Sequence, residues 1–247
     1  MTQPVHLLFG ANGGIGSALT RILAQKGCRL MLAGRNTAAL EELGREVDAE
    51  TAEVEATDRN AIEQTIKQVR DSFGRLDGIV NAFGTMHLKP AHLTKDEDWD
   101  QTLAVNLSSS FAITRAAARA FPKEGGSVVF ISSVAARMGL PNHEAIAAAK
   151  AGLIGLALSA AATYASKGIR YNVVAPALTR TSLTRSITGN EAALQASTRM
   201  HPLGRIGEPE DIASAIAWFL DPAQSWVTGQ VLGVDGGLGS VRARIGS

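Results

Sequence analysis

Residues 5–16, Val5-His6-Leu7-Leu8-Phe9-Gly10-Ala11-Asn12-Gly13-Gly14-Ile15-Gly16, decide the fold. Val5–Phe9 has the length and apolar content of a buried strand, and Gly10 closes it. From Ile15 to Lys26 the pattern turns helical. A strand that passes through a glycine-rich turn into a helix opens a β-α unit. Glycines let backbone N–H groups come close to a phosphate, and the following helix aims its positive end at it. Gly10, Asn12, Gly14, Ile15 and Gly16 are therefore the candidate cradle for a pyrophosphate. Glycines alone are weak evidence; their place between strand and helix carries the reading.

Working outward, short β-rich runs alternate with longer helical ones. Strands are expected at Val5–Phe9, Arg29–Ala33, Ala52–Val54, Gly78–Val80, Ser127–Ile131, Tyr171–Ala175 and Gln230–Val234. Helices are expected near Ile15–Lys26, Thr37–Ala49, Arg59–Phe73, Lys95–Phe121, Glu144–Lys167 and Pro209–Leu220. Such alternation predicts an α/β protein, a doubly wound parallel sheet covered on both faces, as a single domain over 1–247. Gly27, Gly74 and Gly168 stand where left-handed helix caps belong, and Pro209 at a helix start. Asn142 is placed to cap the helix that follows it. Trp99 is expected to pack one face of the helix leading to Asn106. The irregular stretch Pro176 to Gly207 reads as a substrate lid near 177–207.

Hydrophobic residues make up 45% and charged residues 19% of the 247, which suits a globular protein with a substantial core. With 24 basic and 23 acidic residues there is no electrostatic footprint for nucleic acid or an anionic membrane. No apolar run is expected to be long enough to span a bilayer, and a strand at Val5 leaves no room for a leader peptide. The single cysteine, Cys28, fits a reducing, cytoplasmic setting; no Cys/His cluster has metal-ligand spacing.

The second strand ends Leu32-Ala33-Gly34-Arg35. A carboxylate at such a position accepts from the ribose 2′-hydroxyl of NAD and repels a 2′-phosphate. An uncharged Gly34 followed by the Arg35 guanidinium favours the phosphate instead, so NADP is expected ahead of NAD. Asn81-Ala82-Phe83-Gly84 ends the fourth strand, at the crevice where open α/β sheets bind ligands. The Asn81 amide could equally tie neighbouring elements together.

The glycine motif, Asn81 and Gly84, Asn106 in Val105-Asn106-Leu107, Ser133 and Lys150 resemble, in order and spacing, the short-chain dehydrogenase/reductase family along nearly the whole chain. The resemblance implies a Rossmann fold and an oxidoreductase acting on a small-molecule substrate. It implies that Glu55 stands where an aspartate touches the adenine amino group, and that Thr181 holds the nicotinamide carboxamide. Four groups cooperate in that family: an asparagine matched by Asn106, a serine by Ser133, a lysine by Lys150, and a tyrosine four residues before the lysine. Here that position is Ile146. Phe9, Ala82, Phe83 and Ala177 also depart from the family pattern.

Without a phenol, Lys150 keeps a ribose-holding role and Ser133 can donate to a substrate oxygen. Three readings stand side by side. In the first, another group supplies the proton: His143, Glu144 or a water. His143 lies seven residues before Lys150, on one helix face with Ile146 and Lys150. Enoyl reductases of the superfamily carry their tyrosine in that slot. In the second, an activated C=C bond needs no strong acid. In the third, the protein binds NADP without turnover, as a sensor or structural partner. His87 and His92 read as loop residues, and His6 and His201 offer nothing specific. The alanine-rich Ala157–Ala165 presents small residues for close packing, and the resemblance implies a homodimer or homotetramer built on that helix.

Overall fold

In the computed structural model, which describes residues 3–242, strand β1 (Val5–Phe9) is apolar at every position because both its faces are covered. Leu7 and Phe9 pack into one core with helices α3 (Arg59–Phe73), α5 (Ser109–Ala120) and α6 (Glu144–Tyr164). Leu8 enters the other, against α1 (Gly14–Gln25) and α9 (Pro209–Leu220). Strands β2 (Arg29–Gly34), β3 (Glu50–Glu53), β4 (Gly78–Asn81), β5 (Gly126–Ile131), β6 (Ile169–Pro176) and β7 (Val231–Val234) complete one parallel sheet, ordered β3-β2-β1-β4-β5-β6-β7. This is the doubly wound Rossmann arrangement expected from the sequence. Residues 1–2 and 243–247 of the expected 1–247 domain lie outside the described residues.

The order places the functional crevice. The chain leaves β1 toward β2 and β3, then crosses back to β4 on the other side of β1. At that switch point the loops after β1 and β4 face each other and leave a cleft at the strands' carboxyl ends.

Boundaries agree to within a few residues, and the exceptions have physical causes. The helix expected over 95–121 is three pieces: α4 (Asp96–Leu103), a π-helical turn at Ala104–Ser108, and α5. Asn106 Nδ2 donates to Thr102 O at 2.9 Å and Ser109 Oγ to Val105 O at 2.7 Å. Side chains that bond carbonyls inside a helix widen its turns. Trp99 stays 40% exposed rather than packing away. Asn142 is not the cap of α6: it sits at φ 64°, and His143 occupies the cap position with no side-chain cap bond. Helix α2 (Thr37–Val47) stops two residues early because Asp48 turns left-handed at φ 54°. Gly27, Gly74 and Gly168 all have positive φ, as left-handed caps require. The expectation about membrane-length runs needs correction: Glu144–Lys167, with mean hydropathy 1.7 over its most apolar window, is long and apolar enough to cross a bilayer. In this fold that segment packs in the core, with Ala149, Leu153 and Ala157 buried.

His6 is buried in β1, its Nδ1 without a hydrogen-bond partner. Burial holds its pKa down at about 4, with Asp77 opposing and Arg75 adding to the shift. The folded state therefore binds this proton less readily than the unfolded chain. The associated stability is full above about pH 6.5 and is lost as pH falls toward 4. A depression of this size corresponds to about 3 kcal/mol. Urea melts between pH 7 and 4 should show that loss in wild type, and His6→Leu should flatten it. An unchanged slope in the variant would assign the acid lability elsewhere.

Candidate active site

The crevice holds a cavity of about 760 Å³ running from the glycine turn after β1 to the start of α6. Gly10 has φ 72°, and a Cβ there would meet the Ala82 carbonyl at 2.7 Å. The loops after β1 and β4 thus touch across a side chain that must be absent. A Cβ on Gly16 would strike Gly10 O and lie 2.8 Å from Ala11 Cα. One on Gly14 would lie 2.8 Å from Thr181 Cγ2, so Thr181 rests directly on the start of α1. The cap residue Gly13 offers no side chain to the first turn. Backbone N–H groups at the positive end of α1 therefore open onto the cavity, a cradle that fits a pyrophosphate.

Beyond this turn, Gly34, Arg35 and Asn36 line the same cavity, together with Asn12 and Glu55. Arg35 and Glu55 are exposed; Glu55 Oε1 accepts from Ala56 N at 3.1 Å. Gly84 lines the wall, but Asn81 stands behind it. Asn81 Nδ2 donates to Ser109 Oγ at 3.0 Å and Ser110 Oγ at 2.8 Å, while Oδ1 accepts from Phe83 N at 3.0 Å. The amide clamps β4 to α5 and shapes the loop that bears Gly84. Asn106 braces similarly: Oδ1 accepts from Thr85 N at 3.3 Å, and Nδ2 donates to Thr85 Oγ1 at 2.8 Å and to Thr102 O.

At the far end, Ser133, His143, Ile146 and Lys150 come together on the cavity wall. Ser133 Oγ accepts from Ala135 N at 3.1 Å, which leaves its O–H free to donate toward the cavity. Lys150, only 8% exposed, donates from Nζ to Ile131 O at 2.8 Å, and burial pushes its pKa down to about 8. Ser132 Oγ in turn donates to Lys150 O at 2.7 Å and locks α6 to the end of β5. Ile146 is 6% exposed and turned into the wall. His143 is half-buried, with Nδ1 2.7 Å from Pro141 O. Since that oxygen only accepts, Nδ1 carries a proton and Nε2 is left for exchange. Glu144 is exposed and is not part of the wall.

Several contributors were not singled out from sequence. Thr184 Oγ1 accepts from Thr181 N at 3.1 Å and donates to Thr179 O at 2.6 Å, fixing Thr181 over the glycines. The Thr-x-x-Thr spacing of such a local turn was the available signal. His201, read as offering nothing specific, reaches the cavity from the end of α8 (Glu191–Met200), which follows the short α7 (Arg185–Thr188), with Nδ1 held by Ser197 O at 2.7 Å. Met86, Leu88, Leu183 and Ile187 make the adjoining lobe apolar. His87 and His92 stay out of the wall; His87 is a loop residue as expected, whereas His92 sits in a 3₁₀ turn over Ala91–Leu93.

A family model described as enoyl-(acyl carrier protein) reductase matches residues 10–239. The 3-oxoacyl-[acyl-carrier-protein] reductase FabG of Thermotoga maritima is 35% identical over 240 residues, covering 95% of this chain and 97% of that one. A short-chain type dehydrogenase/reductase from Mycobacterium ulcerans superposes with a TM-score of 0.92 at 29% identity, over 98% of this chain and 92% of the other. The structure of ElxO with NADP bound gives 0.90 at 25% identity, over 96% and 99%.

Proposed function

Because the chain belongs to the short-chain dehydrogenase/reductase family, we propose that it is an NADP(H)-dependent oxidoreductase that reduces a small carbonyl or conjugated enoyl compound with an atypical proton donor. One observation carries this reading: a glycine cradle and a Ser133–Lys150 wall share one cavity. The coenzyme supplies the hydride when bound. The turn at Gly10, Asn12, Gly14, Ile15 and Gly16 would hold its pyrophosphate, Arg35 its 2′-phosphate, Glu55 its adenine, Thr181 its carboxamide and Lys150 its ribose. Asn81 and Gly84 would fix the loop beneath it, and Asn106 the geometry of the helix beside it.

Ser133 donates its O–H to the substrate oxygen as charge develops there. Ile146, where the family has tyrosine, has no proton to give. His143, as the imidazolium with Nδ1–H donated to Pro141 O, supplies it from Nε2–H and takes a proton back from solvent. The segment near 177–207 closes over the apolar lobe as a lid. The exposed face of α6 around Leu158, 49% exposed, is the surface on which a homodimer or homotetramer would form. A cytoplasmic setting goes with the lone Cys28.

A second reading has a specific observation in its favour. With Ile146 in the wall and both asparagines engaged in structural bonds, the pocket can bind NADP without turning it over. Fluorescence titration with NADPH and NADH, followed by NADPH oxidation with 3-oxoacyl and enoyl thioesters, separates the two. Binding without turnover on either panel selects the sensor or structural role. In an active protein, His143→Ala should lower kcat by roughly 10²-fold or more, the usual weight of a positioned acid, with NADPH affinity near wild type. A variant that keeps the wild-type rate removes His143 as donor.

A further inference from the structure

Leu140, Pro141 and His143 line the cavity, and Asn142 between them does not. Asn142 is exposed, and among the described residues its side chain makes no hydrogen bond. Its backbone is the unusual part, with φ 64°. Few side chains tolerate that region; asparagine does, and glycine enters it freely. Proline followed by a residue of positive φ is the pattern of a type II turn, here over Leu140 to His143.

This turn joins two anchors of one ring. His143 O accepts from Ala147 N at 2.7 Å, so the His143 backbone belongs to the first turn of α6. Its imidazole Nδ1 lies 2.7 Å from Pro141 O, two residues back along the chain. Both bonds hold together only while the peptide between Pro141 and Asn142 keeps its direction, and φ at 142 sets that direction. An ordinary negative φ would swing Pro141 O away from the ring and free His143 to rotate.

We propose that Asn142 is a positioning residue: through its left-handed backbone it keeps Pro141 O on His143 Nδ1, and so keeps Nε2 as the nitrogen that exchanges a proton with substrate. The inference rests on His143 as the donor in the function proposed above.

Asn142→Ala, Asn142→Gly, His143→Ala and the double variant Asn142→Ala/His143→Ala test it. Three quantities are measured: kcat and KM with the thioester that is turned over, Kd for NADPH, and the His143 tautomer. Long-range proton–nitrogen NMR spectra read the tautomer, with the His143 signals assigned by their loss in His143→Ala. Asn142→Ala should lower kcat by about tenfold at unchanged NADPH affinity, because a small displacement of a reacting group is enough for such a loss. The neutral ring should change from the Nδ1–H tautomer to a mixture. Asn142→Gly should return both to wild type, since glycine takes positive φ without strain. With His143→Ala already present, Asn142→Ala should cost nothing more. An Asn142→Ala protein that keeps either the wild-type kcat or the Nδ1–H signature, or that loses as much rate without His143, overturns the positioning role and leaves His143 as donor. Wild-type kcat in His143→Ala, or no turnover by wild type, overturns the donor and the positioning role together.

Discussion

Ile146→Tyr should raise the rate of ketone reduction by roughly 10²–10⁴-fold, the contribution of a well-placed general acid. Ile146 and Lys150 lie one helical turn apart on α6 and both line the cavity. A phenol at 146 therefore enters the site beside a buried ammonium. That charge favours the phenolate and draws the hydroxyl toward its working range, against the opposing effect of burial. The Ser133 O–H already stands on the same wall. Tyrosine is larger than isoleucine, and overpacking a filled core costs about 1–3 kcal/mol. Here the added ring has open cavity to enter, so the melting temperature should change little. Single-turnover NADPH oxidation with a ketone panel measures the gain. The gain should fall at high pH as the phenol ionises, and should vanish when Lys150→Met is added. A well-folded variant that binds NADPH and shows no gain would mean that the rest of the wall is not competent, which selects the binding-only reading.

The fold was legible because its signals are local. Strand β1 is a short apolar run, Pro209 stands at the first position of α9, and Gly27, Gly74 and Gly168 end helices by a backbone requirement that only a few residues meet. The cofactor end of the site was legible for the same reason, since Gly10 and Gly16 are demanded by close approach of main chain and Gly14 by the Thr181 side chain packed against it. The side-chain roles were not. Asn81 bonds to Ser109 and Ser110 and Asn106 to Thr85, partners 21 to 29 residues away that only the packed fold brings together. Their clamping role was one of two open alternatives until those hydroxyls were in place. The π-helical turn was hidden because Asn106 and Ser109 compete with the backbone for carbonyls, which a hydrophobic pattern does not reveal. The start of α6 at Glu144 was read correctly, but its cap is His143 and not Asn142, because Asn142 adopts φ 64°, a freedom asparagine has but does not always use.

Gly16→Ala should weaken NADPH binding by about 100-fold, whereas the same substitution at Gly155 should leave binding alone and stabilise the fold. Both glycines lie in helices, α1 and α6, where alanine is favoured by about 1 kcal/mol. They differ only in what the added methyl meets. At Gly155 no atom of the same chain lies within 4 Å, so the helix-propensity gain appears in full in the dissociated subunit, where thermal melts at high dilution read it. At Gly16 the methyl meets Gly10 O and the Ala11 main chain. Those are backbone atoms, and no rotamer change relieves them. The turn must move away from α1, which carries the N–H cradle off the helix end that completes it. Displacements near 1 Å at a binding constellation are enough for losses of this order. Calorimetry for NADPH and thermal melts on both variants read the two effects separately. If Gly16→Ala kept wild-type affinity, the phosphate would not be held by this turn, and the placement of the coenzyme along the crevice would fall with it.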